Sequence, residues 1–70
     1  MRHLIKMESI FGTVYFGTGE TKVSIKHKAL TESRIAFYGF KTLGGAEEAR
    51  ERMMKRLPPM FTLTVETFEL

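Results

Sequence analysis

The stretch TLGGAEEARERMMKRLPP, residues 42–59, decides how the chain is read. Ala46, Ala49, Met53 and Leu57 recur at the spacing of one helical face, with Met54 flanking. Glu47 and Glu48 open the segment and Lys55 and Arg56 close it, the order that the helix dipole favours. Glu48 with Arg52 and Glu51 with Lys55 stand four apart in the better orientation for i, i+4 pairs. Thr42 is the expected cap at the entry, and Pro58 and Pro59 stop the helix because neither can donate to the preceding turn. One amphipathic helix needs a surface on which to hide its apolar side, and the rest of the chain reads as strands.

Residues 61–66 alternate, with Phe61, Leu63 and Val65 on one face and Thr62, Thr64 and Glu66 on the other. RHLIKMES (2–9) can extend with Leu4 opposite His3, Ile5 and Met7, and it is the least defined strand of the set. IFGTVYF (10–16) is aromatic and β-branched, GTGET (17–21) offers glycines for a turn, and KVSIKHK (22–28) returns as the second arm of a hairpin. ALTES (29–33) is a polar connection, and RIAFYGF (34–40) reads as a further strand. The expected fold is α+β: a single antiparallel sheet of four to five strands with one helix on one face, in the order β-β-β-β-α-β.

Seventy residues hold one small domain, residues 1–70. With no cysteine and only His3 and His27, neither a disulfide nor a four-ligand zinc site is available, and no cofactor or metal is expected. Neither a signal-peptide core nor a membrane-length apolar run is present, so a cytoplasmic protein without membrane contact is the expectation. Enzymatic chemistry and a small-molecule substrate are set aside: Ser9, Ser24 and Ser33 have no Asp in the chain to orient a histidine, and Glu47 and Glu48 belong to the charged helix face.

The net charge is +3, but between Lys22 and Arg56 nine basic residues face four glutamates. Such asymmetry attracts anions. The lack of Asn and Gln removes the usual bidentate contacts to adenine, which leaves Arg or Lys on guanine for any direct base reading. A helix of about 14 residues, roughly 21 Å long, covers one sheet face. If Val14, Val23, Ile25, Ile35, Phe37, Leu63 and Val65 pack under it, the opposite face carries Phe11, Tyr15, Ala36, Tyr38 and Phe40 beside Lys22, Lys26 and Lys28. Lysines interleaved with rings neutralise phosphates while the rings stack on bases. The plainer alternative is a solvated strand whose lysines guard an edge.

Gly12 and Tyr15, the basic run Lys22 to Lys28, Phe40-Lys41-Thr42 and Ala46-Glu47-Glu48-Ala49 together resemble the AP2-like and integrase arm-type DNA-binding domains, over about 40 of the 70 residues. That resemblance implies a three-stranded sheet entering the DNA major groove, with Lys22, Ser24, Lys26, Lys28, Arg34 and Tyr38 facing DNA. Val23 stands where the family carries tryptophan, and a strand follows the helix where the family has a linker. With Tyr15 and Phe40 added, these residues form the candidate binding site for nucleic acid or a partner. The competing expectation is a small accessory protein of a phage or mobile element that binds and inhibits a host protein complex, in the manner of anti-CRISPR proteins. Closure of the aromatic face in a homodimer is a third expectation.

Overall fold

The computed structural model describes residues 1–24 and 29–70. Its elements are β1 (Arg2–Ser9), β2 (Gly12–Phe16), β3 (Lys22–Ser24), α1 (Glu32–Tyr38), α2 (Leu43–Arg56) and β4 (Thr62–Phe68), with a 3-10 turn at Thr18–Glu20. The four strands form one antiparallel sheet in the order β3-β2-β1-β4. The α+β class is therefore as expected, and the order of elements is β-β-β-α-α-β. The first strand, the least defined in the sequence, is central and pairs with β2 on one side and β4 on the other.

The α2 helix forms where its spacing places it. Thr42 Oγ1 accepts a hydrogen bond from Gly45 N at 3.1 Å, and the helix ends at Leu57, whose N–H reaches Met53 O just before the two prolines. Ala46 is buried, and Ala49 and Met53 pack with Ile5, Phe16 and Leu63, with Met7, Val14, Phe40 and Leu57 around them. His3 is buried too, and its Nδ1 lies 2.8 Å from Thr67 Oγ1, so this polar ring has a partner. The expected Glu48–Arg52 and Glu51–Lys55 pairs do not close; among the described residues the ion pairs are Lys6–Glu8 and Glu20–Arg56.

The main correction concerns residues 34–40, read as a strand. Glu32–Tyr38 is a helix, capped by Thr31 Oγ1, which accepts from Arg34 N at 3.3 Å. Aromatic and β-branched enrichment favours a strand, but Ile35 and Tyr38 are also three apart, and a run of seven fits either period. What selects the helix is the sheet. Leu4, alternating with His3 and Ile5 on the central strand, faces away from α2, and Ile35 of α1 packs on it together with Val23. The sheet is thus covered on both faces, by α2 on one and by the short α1 on part of the other.

That second helix redistributes the expected core. Val14 and Leu63 pack toward α2 as expected, whereas Val23 and Ile35 belong to the opposite cluster and Phe37 is 78% exposed. Ile25 lies outside the described residues. No helix among the described residues is long and apolar enough to cross a membrane.

Candidate functional site

The face expected to bind is not an open aromatic platform. The strand register puts Arg2, Leu4, Lys6 and Glu8 of β1 on one side with Thr13 and Tyr15 of β2 and Thr62, Thr64, Glu66 and Phe68 of β4. At the α1 end Tyr15 and Tyr38 are half-buried with Leu30 and Phe68 around Leu4, Val23 and Ile35. The Tyr15 ring meets Phe68 edge-on at 6.1 Å, and its hydroxyl donates to Glu66 Oε2 at 2.7 Å. Desolvation, then the hydrogen bond and the charge of Glu66, push the Tyr15 pKa up to about 12. At the other end the uncovered side chains are Lys6, Glu8, Thr13, Thr62 and Thr64, an ordinary wet surface.

The remaining expected site residues separate. Arg34 donates from Nε to Val23 O at 2.7 Å and lies 5.6 Å from the Tyr38 ring, so its guanidinium ties α1 to β3. Ser24 is paired opposite Tyr15, and Lys22 is exposed opposite Phe16. Phe40 is on the wrong side for a shared face: its backbone exchanges two hydrogen bonds with His3, and its ring joins the cluster under α2. The physical reason is α1 itself, which ends at Gly39 and turns the chain back along β1. Lys26 and Lys28 lie outside the described residues. Residues 34–40, the third strand in the DNA-binding resemblance, are the segment that forms this helix.

A different surface concentrates apolar side chains without burying them. The β1–β2 hairpin closes at Ser9 opposite Gly12, and its two turn residues, Ile10 and Phe11, are 87% and 79% exposed. The turn does not require them. Its positive φ, +119°, falls on Gly12, and the Phe11 N–H is satisfied by Ser9 Oγ at 3.1 Å. Tight hairpin turns favour Asn, Asp and Gly, so an exposed Ile-Phe pair here leaves roughly 1.5–3 kcal/mol of burial free energy per side chain unrealised.

These residues have company. Because Glu8 pairs with Thr62, the start of β4 and the loop before it lie at the hairpin-tip end of the sheet. There Met54, Leu57, Pro58, Pro59, Phe61 and Leu63 line an apolar cleft of about 380 Å³, and Met54 and Met60 are each about half exposed. Arg52 and Lys55, on the last turns of α2, are exposed without a carboxylate partner in the ion pairs among the described residues. The neighbouring Arg56 is taken by Glu20, a non-glycine residue held at φ +57°. Reading residues 10–16 as one strand conceals this surface; Gly12 next to two bulky residues was the available signal.

No protein-family model matches the chain, and no characterised protein or solved structure matches it either. Among the described residues no three His, Cys, Asp or Glu side chains gather as metal ligands.

Proposed function

We propose that this protein is a non-enzymatic protein-binding module that docks through the hairpin-tip end of its sheet onto an apolar segment flanked by acidic residues. The observation that carries this is the Ile10–Phe11 tip, exposed where neither the turn nor the core uses it, at the same end of the sheet as the Met54–Phe61 cleft. Methionines and aromatic rings make adaptable and energetically dense contacts. Arg52 and Lys55, exposed on the last turns of the helix that carries Met54, supply positive charge at this end of the molecule, hence the acidic flank on the partner. An inhibitor that works by occupying a host protein complex is one case of this class.

The nucleic-acid alternative keeps its basic residues, Lys22 and Lys41 among the exposed ones, but its rings are engaged elsewhere: Tyr15 and Tyr38 inside one cluster, Phe40 inside the other. Selection from a random peptide library, repeated on an Ile10→Ser/Phe11→Ser double variant, tests the proposal. Enriched peptides should combine apolar residues with Asp or Glu, and the double variant should bind them at least tenfold more weakly with an unchanged circular dichroism spectrum. Peptides whose affinity survives the double change would sink it. Retention of labelled DNA with a log–log salt slope of about −2 to −4 would move the assignment to nucleic acid.

A further inference from the structure

The two edges of the sheet are treated differently. Over its described residues, Lys22–Ser24, β3 pairs with β2 through a register shift between Tyr15 and Phe16, and such irregularities are a common means of blunting an edge. β4 has no such shift. Its seven residues keep an unbroken register against β1, from Arg2 opposite Phe68 to Glu8 opposite Thr62, and TLTVETF holds no lysine, proline or glycine.

The outward side of β4 follows from the ladder. His3 exchanges both backbone hydrogen bonds with Phe40, so the alternate residues Leu4, Lys6 and Glu8 direct theirs toward β4. Their partners Glu66, Thr64 and Thr62 spend theirs on β1, and Leu63, Val65 and Thr67 point their N–H and C=O groups away from the sheet. Arg50 Nε donates to Leu63 O at 2.7 Å, which places that carbonyl on the open side. Among the described residues, none pairs with the outward backbone groups of Val65 and Thr67. The one charge on the strand, Glu66, is drawn back across the sheet by the Tyr15 hydroxyl and does not guard the edge.

We infer that β4 pairs with β4 of a second copy, antiparallel about a two-fold axis at Val65, to give one continuous sheet through both chains. In this register Val65 meets its own counterpart, Leu63 meets Thr67, and Thr64 meets Glu66 across the axis. Shifting the axis to Glu66 would oppose two carboxylates, which disfavours that register. Leu63 O has a second lone pair for the Thr67 N–H of the second copy, so the Arg50 contact can persist. On the α2 side, Leu43 is 47% exposed in a shallow cleft with Val65, and the pairing sets two such apolar pairs beside the axis. This edge and the Ile10–Phe11 end are separate surfaces, so either assignment can fail alone.

Multi-angle light scattering of the wild-type chain should give twice 8.1 kDa at about 100 μM. Thr64 is exposed and its partner within the chain is Lys6, so in the monomer Thr64→Glu gains a cross-strand partner and Thr64→Lys opposes a like charge. Thr64→Glu, facing Glu66 twice per dimer, should weaken self-association about tenfold or more, while Thr64→Lys should leave it unchanged or tighten it. Both variants should keep the wild-type circular dichroism spectrum when dilute, with Thr64→Lys melting somewhat lower than Thr64→Glu because of Lys6 opposite. A wild-type mass of one chain at 100 μM, which would leave the edge to a strand of another protein, overturns the proposal; so do equal dimer affinities for the Glu and Lys variants.

Discussion

The Tyr15 hydroxyl and the Glu66 carboxylate meet at 2.7 Å across the central strand, joining β2 to β4 over a strand that neither belongs to. Desolvation first, and then this contact, hold the phenol in its neutral form, with the pKa raised from 10.0 to about 12. Stability linked to the neutral phenol is therefore fully present below pH 10 and is lost as pH rises from there through about 12. In a Tyr38→Phe background, ultraviolet titration should show a single phenol with a midpoint near 12. Glu66→Gln should lower that midpoint by removing the charge, without returning it fully, because desolvation, the largest cause, remains.

Gly17 stands where β2 ends against the C-terminus of α1. A Cβ there would run into the Tyr38 carbonyl, a backbone atom that cannot swing aside. Gly17→Ala should cost about 1–3 kcal/mol or more, measured by urea unfolding. An unaffected midpoint would mean that α1 does not sit on this strand end.

Gly44 is the opposite case. It lies in the first turn of α2 and a Cβ there would meet nothing within 4 Å. Gly44→Ala should stabilise the protein by about 0.5–1 kcal/mol through the unfolded state, whereas Thr42→Ala should cost about 1 kcal/mol by removing the cap on Gly45 N.

The exposed hairpin tip makes a prediction about stability as well as binding. Phe11→Ser and Ile10→Ser remove side chains that bury little, so each should leave the unfolding free energy within about 0.5 kcal/mol of wild type. Gly12→Ala, one residue on, should cost about 1–2 kcal/mol because φ +119° is a conformation that L side chains avoid. Thermal melts of the three variants distinguish the two effects.

Local periodicity and end signals were enough for the elements whose pattern admits one period. α2 is spelled out by Ala46, Ala49, Met53 and Leu57 between Thr42 and Pro58, and β4 by Leu63 and Val65 alternating with threonines, because burial on one face imposes those spacings directly. RIAFYGF was not of that kind. Its apolar residues serve a strand or one helical face equally, and Thr31 with Glu32 and Arg34 was the only local hint of a helix start. Tertiary structure made the choice, since Leu4 and Val23 on the side of the sheet away from α2 needed a cover and a seven-residue helix supplies it through Ile35. The same choice drew Tyr15 and Tyr38 into packing, sent Phe40 to the opposite core, and left Ile10, Phe11 and the outer edge of β4 among the surfaces without a partner in the described residues. Periodicity along a chain reports that a face is buried; only the assembled sheet decides what buries it and which residues remain outside.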